Sequence, residues 1–259
     1  MRKGRDGVDE QILLQRVCSS FEDILGGKLT GFYVHGSIAF GCFSRATGDV
    51  DFLCVVSAPL TQAEKEALVR VLLALTPEAP PKGFEMSVIL RDVCTPLRYP
   101  TPFEMHFSNA HKTRAEQDLT AFCRDMHGTD PDLAAHITVL HRVGVTLLGE
   151  PISAVFAPVP RECYLDSILG DVSGAEADIR QNPVYTTLNL CRVLAYRTDG
   201  AVLSKAQGGQ WALAHLPEEW RPLLRSALST YAGGASIPEE DALPAFAAMM
   251  LGRIRSLLP

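Results

Sequence analysis

Gly31-Phe-Tyr-Val-His-Gly-Ser37, eleven further residues, then Asp49-Val-Asp-Phe-Leu-Cys-Val-Val56: the reading of this stretch decides the fold. Residues 31–35 read as a short strand of aromatic and β-branched side chains that stops at Gly36-Ser37. A loop through Arg45-Ala-Thr-Gly48 leads into a second strand at 49–56. Residues two apart on a strand share a face, so Asp49 and Asp51 stand side by side while Val50 and Phe52 turn away. Adjacent carboxylates repel, and an exposed sheet gains nothing from them. A divalent cation removes that cost. Magnesium prefers hard oxygen ligands and takes one or two carboxylates together with substrate phosphates.

A third carboxylate lies downstream. In Phe84-Glu-Met-Ser-Val-Ile-Leu90, the residues Phe84, Met86, Val88 and Leu90 form one apolar set, so Glu85 and Ser87 face the other way. If this strand neighbours residues 49–56, Glu85 joins the two aspartates. Three carboxylates around two magnesium ions would clamp the attacking and leaving oxygens of an in-line phosphoryl displacement. Glu85 is equally placed to take a proton from an incoming hydroxyl. Both roles stay open. Gly36 lets backbone approach a phosphate, and a turn opening into a helix there presents N–H groups, with the Ser37 hydroxyl as a further donor.

The rest of the chain frames these strands. Residues 9–25 carry apolar side chains at helical spacing and stop at Gly26-Gly27. Pro59 and Thr61 precede a helix over 62–75, which Pro77, Pro80 and Pro81 end. After residue 112 strand signals fade, and 133–148 is helical in period. Ala157-Pro-Val-Pro160 marks a linker, because two prolines cannot sit inside an element. Beyond it come helical segments at 161–169, 184–197, 204–215, 218–231 and 239–257. The expected architecture is an α/β domain with a small mixed sheet over residues 1–157, then an all-α domain over 158–259.

Composition narrows the function classes. Of 259 residues 47% are hydrophobic and 21% charged, a soluble globular profile. A formal charge of −6 disfavours a nucleic-acid groove and suits a cationic small molecule. Seven scattered cysteines, without Cys-x-x-Cys, indicate reduced thiols and a cytoplasmic location, and His106, His111, His136 and His141 lack zinc-ligand spacing. No apolar run is long enough to span a bilayer. The acidic run Glu162, Asp166, Asp171, Glu176 and Asp178 reads as a solvated face or as a wall for a cationic ligand. His35 reads as a packed strand-end histidine.

At Gly36-Ser37 and Asp49-Val-Asp51 the chain resembles the nucleotidyltransferase superfamily, and more closely the aminoglycoside (3'')(9)-adenylyltransferases. The resemblance spans almost the whole chain: Val34-His-Gly-Ser37, Gly48-Asp-Val-Asp51, Ser57-Ala-Pro-Leu-Thr61, 84–90, Thr187-Leu-Asn-Leu-Cys-Arg192, Leu203-Ser-Lys205, Trp211 and Leu216-Pro217. It implies a nucleotidyltransferase domain and a helical domain with ATP and the antibiotic in the cleft between them. Asp49 and Asp51 match the metal ligands and Glu85 the catalytic base. Arg192 and Lys205 match contacts to ATP phosphates, and Tyr231 a residue packing near the nucleotide. Asp178, Asn182 and Tyr185 fall where relatives face the drug. The implied reaction is magnesium-dependent transfer of AMP from ATP to an antibiotic hydroxyl by a monomeric, cytoplasmic enzyme.

The chain departs from the family in three places. Gly48 stands where relatives often have Ser, after a loop one residue longer. Ser108-Asn-Ala-His111 replaces a Gly-Glu-Trp stretch, which removes an aromatic wall for streptomycin and favours spectinomycin. Ser173 and Asn182 stand where some relatives have Trp and an acidic residue. Two alternatives accompany this reading: a nucleotidyltransferase acting on another metabolite or a protein, and a non-catalytic nucleotide-binding regulatory module.

Overall fold

Thr61 opens a helix because its hydroxyl accepts the Glu64 N–H while the Glu64 carboxylate accepts the Thr61 N–H, a reciprocal cap. From such local rules the computed structural model describes residues 3–234 and 240–257. The elements in chain order are α1 (Lys3–Leu25), β1 (Leu29–Val34), α2 (Gly36–Ala39), β2 (Val50–Val56), α3 (Gln62–Leu75) and β3 (Phe84–Leu90). There follow β4 (Thr101–Phe103), β5 (Met105–Ser108), α4 (Lys112–Gln117), α5 (Leu119–Asp125), β6 (Gly128–Asp130), α6 (Asp132–Val143), β7 (Val145–Gly149) and α7 (Ile152–Val155). The chain continues with α8 (Arg161–Val172), α9 (Ala175–Asp178), α10 (Pro183–Asp199), α11 (Lys205–His215), α12 (Arg221–Tyr231) and α13 (Leu243–Ser256). Among the described residues no helix is long and apolar enough to cross a membrane.

Two compact units divide the chain, Met1–Tyr164 and Leu165–Pro259. The first is built on a mixed sheet of order β5-β3-β2-β1-β7. Strands β2 and β3 run parallel, with α3 as the crossover, and the other neighbours are antiparallel. Alternation sends Phe32, Phe52, Phe84, Met86 and Val88 to one face, where Val17 and Phe21 of α1 and Leu68 and Leu72 of α3 cover them. Tyr33, Leu53, Val55 and Ile89 point to the other face, under Leu133, Ile137 and Leu140 of α6. Phe32 and Phe52 stack at 4.6 Å, with Phe21 edge-on at 6.0 and 5.9 Å. Truncating one such ring costs about 3–5 kcal/mol, so β2 is held firmly along its length.

Helical period failed at one place. The 133–148 run is not one helix: α6 stops at Val143, and residues 145–149 become β7, an edge strand paired with β1. Gly144 allows the break, since a Cβ there would come within 2.7 Å of Leu140 backbone. Three-residue β6 also lies beyond residue 112, where strand signals faded, and three-residue β4 and four-residue β5, just before it, were not among the expected strands. Each is too short to show a period.

The second unit is helical. Helix α10 is its centre, with Leu188, Leu190, Cys191, Val193, Leu194 and Ala195 buried against α11, α12 and α13. Gly209 lets α11 approach, because a Cβ there would meet Leu188 and Leu228 at 2.7 Å. The expected helix at 218–231 begins as a 3-10 turn, with Pro222 in the first turn of α12. Glu239, where the last helix was expected to begin, lies outside the described residues.

Candidate active site

Parallel pairing of β2 with β3 sets Asp51 opposite Glu85. Asp49 lies immediately before β2, so the three carboxylates meet at one end of two neighbouring strands. One oxygen from each lies within 4.8 Å of the others, and among the described residues no other group of this kind could hold a metal ion. Asp51 is buried and the other two are half-buried. A set made only of carboxylate oxygens suits a hard divalent cation such as magnesium, not zinc.

Gly36 and Ser37 sit against this group. Gly36 has φ +61°, and a Cβ there would lie 1.8 Å from Asp51 Oδ2, so both conformation and space demand glycine. The His35 N–H donates to the Asp51 carbonyl at 3.1 Å and ties the loop to the strand. Helix α2 is a single turn of four residues, so it offers amide N–H groups rather than a developed dipole. Ser37 Oγ is buried without a hydrogen-bond partner among the described residues. Such an orphaned hydroxyl costs about 1–3 kcal/mol unless something else occupies it.

The loop between Gly41 and Gly48 is pinned by Arg45, which bonds the buried Glu10 carboxylate and the carbonyls of Glu78 and Ala79. At its end the N–H groups of Thr47 and Gly48 both donate to the Ser44 carbonyl. A Cβ at Gly48 would lie 2.9 Å from both Phe43 Cε2 and Ser44 O. Any side chain at position 48 would therefore crowd the loop.

Histidines lie on and beside the strands that carry the carboxylates, and His35 is the packed strand-end histidine the sequence suggested. Glu85 pairs with Ser108 and Ser87 with His106 across β3 and β5. Ser87 Oγ and His106 Nδ1 are 3.0 Å apart, and Ser108 Oγ and His111 Nδ1 3.2 Å. His35, buried, stacks on His136 of α6 at 4.5 Å. Burial, with help from His136, holds His35 well below the usual imidazole range. Burial first, then His111, brings His106 down to about 4. Strand β5 is too short to reveal its register, so only the alternation Glu85–Ser87 hinted at this lining.

The helical unit gathers a second set. Tyr185, Asn189 and Arg192 follow one another along α10 at spacings of four and three, which places them on one helix face. Arg192 donates through Nε (3.0 Å) and Nη2 to Asn189 Oδ1, and its Nη2 lies 3.9 Å from Asp171 Oδ2. Lys205 stands 4.5 Å over the Tyr185 ring, at the first position of α11 beyond its Ser204 cap. Gly208 brings α11 close, since a Cβ there would meet Arg192 Cγ at 2.8 Å. Asp178 and Asn182 are exposed at the end of α9 and the N-cap of α10, joined by the Asn182 N–H to the Asp178 carbonyl at 2.9 Å. Tyr231 is half-buried and closes α12.

A mixed sheet brings Asp49, Asp51 and Glu85 together at the end of a parallel strand pair. Residues 154–253 match the family model described as aminoglycoside adenylyltransferase, C-terminal domain. The chain is 28% identical over 220 residues to a spectinomycin 9-adenylyltransferase of Staphylococcus aureus, covering 82% of this chain and 81% of that protein. It is 25% identical over 237 residues to an aminoglycoside (3'')(9) adenylyltransferase of Escherichia coli, covering 89% and 86%. The fold is that of the spectinomycin adenyltransferase AAD(9) from Enterococcus faecialis, solved with ATP and spectinomycin. That match has a TM-score of 0.80 at 20% identity, over 95% of this chain and 99% of the other.

Proposed function

We propose that the protein transfers AMP from magnesium-bound ATP to a hydroxyl of an aminocyclitol antibiotic of the spectinomycin kind. The carrying observation is the in-register pair Asp51 and Glu85 with Asp49 beside it, ligand oxygens within 4.8 Å. Asp49, Asp51 and Glu85 would hold magnesium, two ions in the full reading, and the metal supplies charge neutralisation at the transferred phosphoryl group. Glu85 also takes the proton of the acceptor hydroxyl. That oxygen attacks the α-phosphorus, the bond from the α-phosphorus to the bridging oxygen breaks, and pyrophosphate leaves. Gly36 and Ser37 cradle phosphate, which gives the orphaned Ser37 Oγ a partner.

In this reading residues 1–157 carry the chemistry and 158–259 add contacts to nucleotide and acceptor. Arg192 and Lys205 meet ATP phosphates, because a triphosphate carries more charge than the metal neutralises. Tyr231 packs near the nucleotide. Asp178, Asn182 and Tyr185 face the acceptor, and Asp178 supplies a negative charge for a cationic drug. Spectinomycin is favoured over streptomycin because Ser108, Asn109, Ala110 and His111 offer no tryptophan wall. The enzyme would act as a cytoplasmic monomer, and its charge of −6 suits a cationic small acceptor better than nucleic acid.

The test is incubation with ATP, magnesium and a panel of aminocyclitols, following pyrophosphate release and product mass. Expected is a spectinomycin product heavier by one AMP unit, lost on adding a chelator. Absence of product with every drug would reject the antibiotic as acceptor.

A further inference from the structure

Asp171 stood in the sequence as one of a run of acidic residues, yet both of its carboxylate oxygens have partners. Oδ1 accepts the Tyr185 hydroxyl at 3.0 Å. Oδ2 accepts Asn189 Nδ2 and lies 3.9 Å from Arg192 Nη2. Asn189 in turn accepts both Nε and Nη2 of Arg192 through Oδ1. One carboxylate at the end of α8 thus bonds or pairs with three successive residues along one face of α10. Tyr185, fixed by its hydroxyl, carries the Lys205 ammonium over its ring.

The donors are arranged in one sense. Asn189 is 1% exposed, and its amide has a single orientation that serves both neighbours: Nδ2 toward Asp171, Oδ1 toward Arg192. Reversing it would set the amide hydrogens against the guanidinium. The negative charge on Asp171 therefore determines which edge Arg192 presents to the protein. That edge is Nε and Nη2, and among the described residues Nη1 has no partner. A guanidinium already fixed loses less rotamer freedom when it meets an anion, which raises affinity without adding a contact.

We propose that Asp171 is a positioning residue, which through Asn189 and Tyr185 presets Arg192 and Lys205 for the polyphosphate of the nucleotide. It touches neither substrate and acts through the groups it holds. The inference rests on the reading of Arg192 and Lys205 as phosphate contacts.

The experiment measures Mg-ATP affinity by calorimetry, KM and kcat with spectinomycin, and the thermal midpoint, for the wild type and four variants. Asp171→Asn keeps the shape and removes the charge, and it should weaken Mg-ATP binding about tenfold, raising KM for ATP more than it lowers kcat. Adding Asp171→Asn to Arg192→Ala should cost only the part carried through Tyr185 and Lys205, well short of the two single losses added, because most of the carboxylate's effect runs through the arginine. The exchange Asp171→Asn with Asn189→Asp restores a carboxylate against Arg192 and should recover most of the lost affinity. Wild-type affinity in Asp171→Asn, or losses that add with Arg192→Ala, would overturn the positioning role while leaving the proposed reaction standing. Loss of affinity that only tracks loss of folded protein would also overturn it. A wild-type protein that fails to bind Mg-ATP removes both readings.

Discussion

Asp51 and Glu85 occupy the same level of two parallel strands and are each other's backbone partners in the ladder. Strands in a sheet lie about 4.8 Å apart, so this register alone brings the two carboxylates within reach of one cation. Asp49, two residues before Asp51, completes the group. Glu85→Gln should therefore lose about a thousandfold in turnover, the middle of the range for a positioned acid or base. Asp51→Asn should fall as far while raising the thermal midpoint, since like charges no longer oppose each other in the metal-free protein. Pyrophosphate release and calorimetric melting give the two readings; a Glu85→Gln enzyme near wild-type speed would contradict the assignment.

Gly36→Ala tests the turn beside those carboxylates. The added methyl would lie 1.8 Å from Asp51 Oδ2 at a backbone φ of +61°. Strain and displacement together should cost about 2 kcal/mol in denaturant unfolding. Activity should drop further than stability explains, because Asp51 must move. A variant with unchanged melting and turnover would show that the turn is not held as described.

Ser37→Ala separates folding from binding by sign. Its hydroxyl oxygen is buried and unpartnered among the described residues, so removal should stabilise the ligand-free protein by about 1 kcal/mol. The same change should weaken Mg-ATP binding, because the hydroxyl finds its partner in phosphate. Melting curves with and without nucleotide should cross over. Stabilisation of equal size in both conditions would remove Ser37 from the nucleotide site.

The buried histidines His35 and His106 predict acid sensitivity. Folding lowers the pKa of His106 from 6.5 to about 4, and that of His35 well below 6.5. Both stay neutral in the folded protein while the unfolded chain takes up protons below about pH 6.5. The unfolded state then binds more protons, so stability is full above that pH and declines as pH falls toward 4. For His106 the shift corresponds to a loss of about 3 kcal/mol over that window. His106→Asn should flatten the melting temperature between pH 6.5 and 4 relative to wild type. Parallel profiles would count against the assignment.

Much of this arrangement was legible in the chain. Alternation in 84–90 separated Glu85 and Ser87 from the apolar set, and Asp49-Val-Asp51 implied its own geometry. Helix α3 was readable to its ends, because Thr61 caps it at one end and prolines follow the other. The 133–148 run misled, since Val145, Thr146, Leu147 and Leu148 satisfy a helical period as well as a strand. Only pairing with β1 decides between them.

Local chemistry along the chain determined which residues could bind a cation or a phosphate and where most elements begin and end, since caps, turns and alternation act over a few residues. Tertiary structure alone decided that β2 and β3 are neighbours in a register that sets Asp51 opposite Glu85. It alone placed His106 on Ser87 and Asp171 across three positions of α10. Those relations join residues far apart in sequence. Their partners are chosen by packing of whole strands and helices, which no short window of sequence encodes.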